Sequence, residues 1–143
     1  MQFSTTQNTQ NTQEAQQKHA QIDKDGIAKL MDLFYAKVRK DENLGRIFEG
    51  RIGTDEASWS AHKQKIASFW GGIFLGEQDY HGAPLKAHLD LEPFPREFFE
   101  IWLGLFKESC EAVFCQEPAE QLLDRAQDIA QRFQKILYEF PHS

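Results

Sequence analysis

Large apolar side chains recur at helical spacing along this chain, and no stretch alternates apolar with polar residues as a half-buried strand does. That pattern confines the chain to an all-α fold. From Asp23, suited to cap a helix, Ile27, Leu30, Met31, Phe34 and Val38 form one buried stripe that runs up to the charged stretch 39–41. Leu44, Ile47 and Phe48 beside Gly45 make a patch too brief for a long helix, which predicts a turn-like connector. After Gly53-Thr54, the residues Trp59, His62, Ile66, Phe69, Trp70 and Ile73 share one side of a second helix ending near Gly76.

Pro84 suits a first helical position, and Leu85, His88, Leu89 and Leu91 give a short amphipathic segment before Glu92-Pro93-Phe94-Pro95 breaks it. Beyond Pro95, Phe98, Phe99, Trp102, Leu103, Leu105, Phe106, Cys110 and Val113 cover so much of a helix's circumference that this helix should lie centrally. Pro118 opens a last helix carrying Leu122, Ala126, Ile129, Ala130, Phe133, Ile136, Leu137 and Phe140.

Residues 1–22 hold too few apolar groups to offset the entropy of ordering them, so they are expected to form a flexible polar tail ahead of one domain at 23–143. At 143 residues and 41% hydrophobic, the chain suits a single core. Twelve Phe, three Trp and three Tyr suggest either a core of large flat side chains or one wrapped around a large flat ligand. A formal charge of −6 argues against nucleic acid or an anionic membrane as partner, since both call for a basic patch. The opening residues lack the apolar run of a signal peptide or a membrane span, so the expected place is the cytoplasm. Cys110 and Cys115, five apart on a helix, point about 140° away from each other and are expected to stay free thiols. No exposed apolar stripe stands out, which favours a monomer.

Five histidines remain to be placed. His19 falls in the tail, His81 in a loop and His142 near the end, where solvated surface is the expected setting. His62 and His88 share inward faces with Ile66 and Phe69 in one case and Leu85 in the other, and a buried imidazole is costly without a partner. Two core-facing histidines on consecutive helices suit opposite sides of a flat cofactor with aromatic walls. Zinc competes less well, because neither an HExxH motif nor a Cys/His cluster supplies the remaining ligands, whereas haem asks the protein for one strong axial ligand.

The runs Phe34-Tyr35 with Val38-Arg39, Leu44-Gly45 with Ile47-Phe48, Trp59 with His62, Phe69-Trp70, Tyr80 with Gly82, Pro84 with His88, and Phe98 with Trp102-Leu103 resemble the bacterial truncated haemoglobins of group III, in order and over nearly all of 27–140. The resemblance implies a truncated globin, a two-over-two helical sandwich around haem b (iron protoporphyrin IX). It assigns His88 as the proximal iron ligand and Tyr35, His62 and Trp102 as polar residues around the gas. It makes Phe48 the ring that packs on the haem face, with Ile66 and Phe69 as apolar lining. Arg46 and Ala83 depart from the family's usual proline and asparagine. The function implied by the resemblance is binding of O2, CO or NO, with hydrogen bonds from the polar residues slowing O2 release. The alternatives are a haem enzyme that oxidises nitric oxide or cleaves peroxide with an external reductase, and a cofactor-free helical interaction module whose histidines are merely bonded in the core.

Overall fold

The structure is a computed structural model that describes residues 18–76 and 96–135. His88, Pro84, Tyr80, His81 and His142 lie outside the described residues, as does the last helix's continuation through Ile136, Leu137 and Phe140. Among the described residues there are five α-helices: α1 Lys24–Lys40, α2 Glu42–Ile52, α3 Glu56–Phe74, α4 Phe98–Val113 and α5 Gln116–Gln134.

Asp23 starts α1 as its spacing predicts, since its carboxylate accepts the Gly26 N–H at 2.7 Å. The stripe Ile27, Leu30, Met31, Phe34 and Val38 is buried throughout, each side chain contributing about 1.5–3 kcal/mol by leaving water. The expected connector proves to be a helix. One residue after α1, Asp41 turns the chain and accepts the N–H groups of Asn43 and Leu44 at 3.0 and 2.9 Å, and α2 then runs for 11 residues. So tight a corner needs Gly45, where any Cβ would stand 2.7 Å from the Arg39 carbonyl oxygen. The glycine that hid this helix from the periodicity is the one that lets it form.

Asp55 caps α3 by accepting from Ser58 N–H at 2.9 Å, and the helix ends at Phe74, two residues before the expected Gly76. Helix α5 starts at Gln116 rather than Pro118, which falls inside the first turn, where a missing N–H breaks no helical bond.

Helix α1 packs on α3, α4 packs on α5, and α1 crosses α4 to join the two pairs, with α2 braced against α1, α3 and α4. The result is a two-over-two helical sandwich. As its wide apolar circumference implies, α4 is central, and Phe106 on it is fully buried. Cys110 and Cys115 are both free thiols, the first buried and the second exposed. Among the described residues no helix is long and apolar enough to cross a membrane.

His19 departs from the solvated setting expected of it. Its backbone N–H donates to Val113 O and its carbonyl accepts from Cys115 N–H, both at 2.9 Å. Its ring lies 5.6 Å from Phe114 and 3.0 Å from the Asp23 carboxylate, and Ile22 packs on the core. Backbone pairing seats this segment, and a count of apolar side chains carries no trace of that.

Candidate functional site

The inner faces of α1 and α3 meet around Tyr35. Its position next to Phe34, on the buried side of α1, leaves the phenol 5% exposed and surrounded by rings. The Phe34 ring is 4.9 Å away, Phe48 of α2 6.4 Å, Trp59 of α3 5.9 Å and His62 of α3 4.9 Å. The Tyr35 and His62 rings meet edge to face at 80°, a favourable arrangement for two aromatic quadrupoles. Burial pushes the Tyr35 pKa upward, because a phenolate would be deprived of water, so the hydroxyl keeps its proton and acts as a donor. His62 is only part-buried as a whole, yet its Nε2 atom is shut off from solvent.

Trp59 is anchored more firmly than any other ring here. It is 1% exposed, its indole N–H donates to Gly53 O at 2.8 Å, and the Arg39 guanidinium lies 4.8 Å above its centroid. Arg39 in turn donates to Glu56 Oε1 at 3.0 Å and to Thr54 O at 3.2 Å, tying α1 to the start of α3. A second tie, Lys63 to Asp32 at 2.9 Å, spans the same pair of helices at the surface, where such a pair is worth about 0–1 kcal/mol.

Trp102 comes from the other layer. Its ring stacks on Phe106 at 5.5 Å with an interplanar angle of 1°, and meets Phe34 edge to face at 5.5 Å and 90°. Phe106 is itself held by Trp70 at 5.4 Å and Phe34 at 5.2 Å, so the Trp102 indole rests on a rigid aromatic backing. Phe34 therefore bridges the two polar residues, touching Tyr35 on one side and Trp102 on the other.

Phe48, Ile66, Phe69 and Trp102 pack against the same core cluster but are only partly buried. Large apolar side chains left half open beside a protonated, buried hydroxyl and an imidazole form a donor set and an apolar wall that fit a flat, mostly apolar cofactor carrying a small polar ligand. Of the seven residues that the sequence singles out, six lie on α1 to α4 about this core, and His88 lies outside the described residues. Phe34, Phe106, Trp70 and Arg39 were legible only as stripe or surface positions, although Arg39 stands four residues after Tyr35 and Trp59 three before His62, spacings that put each pair on one helix face.

No model of a known protein family matches the chain. It is 55% identical over 123 residues to the group 3 truncated hemoglobin ctb of Campylobacter jejuni, covering 86% of this chain and 97% of that protein. The crystal structure of the group III truncated hemoglobin from Campylobacter jejuni superposes with a TM-score of 0.84 at 54% identity, covering 88% of this chain and 99% of that one. Helical layers, aromatic wall and sequence together define a truncated globin. The chain belongs to the group 3 truncated haemoglobins, a membership that implies a haem cofactor and small gaseous ligands such as O2.

Proposed function

We propose that this protein binds O2, and other diatomic gases such as CO and NO, on haem b held by His88, with Tyr35, His62 and Trp102 turned toward the gas. Haem b held by His88 would supply an iron atom able to bind a diatomic ligand. The observation that carries the reading is Tyr35, whose buried hydroxyl keeps its proton and whose ring meets His62 edge to face at 4.9 Å between centroids. Bound O2 would be a better hydrogen-bond acceptor than CO, so a donor fixed in this place would discriminate between them. The Trp102 indole, backed by Phe106 and packed on the other side of Phe34, offers a second N–H. Phe48, Ile66 and Phe69 contribute apolar surface that excludes water from the cofactor's faces.

A hydrogen bond to a partly charged acceptor contributes about 1–2 kcal/mol, and about 1.4 kcal/mol corresponds to a tenfold rate. Tyr35→Phe is therefore expected to speed O2 dissociation from the ferrous protein about tenfold while changing CO dissociation far less. Purified protein should show a sharp Soret band that His88→Ala abolishes. A colourless, stably folded protein sinks the proposal and leaves the cofactor-free helical module standing. O2 release that is unmoved by both Tyr35→Phe and Trp102→Phe removes the donors from it.

A further inference from the structure

Tyr35 and His62 sit on different helices and meet ring to ring, so their relative placement depends on whatever stands behind them. What stands behind them is Trp59. It precedes His62 by one turn on α3, and Arg39 follows Tyr35 by one turn on α1, so the four side chains form one block across the α1–α3 seam. The indole is held from three directions: by Gly53 O at its N–H, by the Arg39 guanidinium over its face, and by burial of the ring itself. Its remaining edge bears on Tyr35 at 5.9 Å and on His62 at 6.0 Å. Arg39 is oriented in turn by both nitrogens of its fork, one donating to Glu56 and one to Thr54 O.

We infer that Trp59, clamped by Arg39, is the positioning residue that fixes the Tyr35–His62 pair and with it the direction in which the Tyr35 hydroxyl points. The inference rests on the reading of Tyr35 as donor to the gas. Phenylalanine at position 59 would fill less space and lose the N–H that anchors the indole to Gly53. Tyr35 and His62 then gain room on the side away from the half-open wall. A hydrogen bond depends steeply on its angle, so a hydroxyl that samples several directions is a poorer donor in each.

The experiment uses the full-length ferrous protein and reads the C–O stretching band of its CO complex, which senses the polar field at the ligand, together with the O2 dissociation rate. Wild type is compared with Trp59→Phe, Arg39→Lys, Tyr35→Phe and the double variant Trp59→Phe/Tyr35→Phe. Trp59→Phe is expected to split or broaden the stretching band and to speed O2 release about five- to tenfold. Arg39→Lys keeps the charge, cannot fork, and should shift the band the same way by less. It is also the arm that decides the matter should Trp59→Phe fail to fold, since Arg39 is partly solvent-exposed. In the double variant the Trp59→Phe effect should vanish, because a residue that acts through the Tyr35 hydroxyl has nothing left to aim. Bands and rates that stay within about twofold in both Trp59→Phe and Arg39→Lys, while Tyr35→Phe alters them, overturn the inference and spare the donor reading. Effects of Trp59→Phe and Tyr35→Phe that multiply in full also overturn it. A Tyr35→Phe protein identical to wild type, or a wild-type protein that forms no CO complex, overturns both.

Discussion

Phe106→Ala should be among the most damaging single substitutions in this protein, and the structure sets its size. The ring is fully buried at the crossing of α1 and α4, stacked on Trp102 and Trp70 and edge-on to Phe34. Truncating a buried Phe to Ala costs about 3–5 kcal/mol, from lost transfer energy and from the cavity left behind. Each aromatic pair adds about 0.5–1.5 kcal/mol beyond area, and three pairs are lost at once, which puts the expected cost at the upper end, ~4–5 kcal/mol. A domain of this size has about 5–15 kcal/mol in all, so the variant gives up about a quarter or more of its stability. Urea unfolding followed by far-UV circular dichroism measures it, and the shift should appear in the midpoint with an unchanged slope. Wild type and variant are compared at one haem concentration, because a ligand that binds only the folded state would otherwise shift the midpoint by mass action. Phe106→Leu separates the two contributions: it retains most of the volume and loses mainly the ring pairs, so it should cost clearly less than Phe106→Ala. If Phe106→Ala costs less than about 2 kcal/mol, Trp102 has no rigid backing and the account of the second layer is wrong.

Gly26→Ala should destabilise, against the usual preference of helices for alanine, because the new Cβ would stand 2.7 Å from the Phe114 ring; a rise in melting temperature would show that this ring is free to move aside. Asp23→Ala should cost about 1 kcal/mol at neutral pH by uncapping α1. The Gly26 N–H, with His19 adding to it, holds the Asp23 carboxyl below its ordinary pKa, so the stabilisation is present above 3.8 and fades as pH falls below it. Unfolding curves of wild type and Asp23→Ala taken from pH 7 to pH 3 should therefore converge at the acid end, and a gap that widens there contradicts the assignment. Burial pushes the Cys110 thiol up to about 12, and Cys115 is exposed, so a thiol reagent should label one site per native chain at Cys115 and both after denaturation. Rapid native labelling of Cys110 is the result that counts against it.

The helical class and the inward faces of α1, α3, α4 and α5 could be read from spacing alone, because each carries its apolar stripe over a run of 16 to 19 residues, long enough to show through the glycine or proline within it. Helix α2 could not, since its glycines dilute the stripe and its start depends on Asp41 capping a corner that only the folded chain defines. Tyr35 and His62 were each recognisable as inward-facing, but their edge-to-face meeting depends on how α1 lies against α3. Arg39 read as one charge in a helix-ending run. Its placement over Trp59 depends on the turn at Gly53–Asp55, whose geometry involves a positive φ of 114° at Gly53.

The pairing of His19 with the α4–α5 corner also bears on how the chain assembles as it is made. Cys115 and Lys18, which meet beside that pairing, stand 97 positions apart, so the earlier segment waits for a partner made much later. At typical rates of synthesis that wait lasts roughly 5 to 20 s. Helices α1 to α3 have the whole interval in which to form and collapse on one another, and the N-terminal segment closes over the corner only once α4 has emerged. Its two backbone bonds belong to the end of folding, and under strain they should be among the first to open.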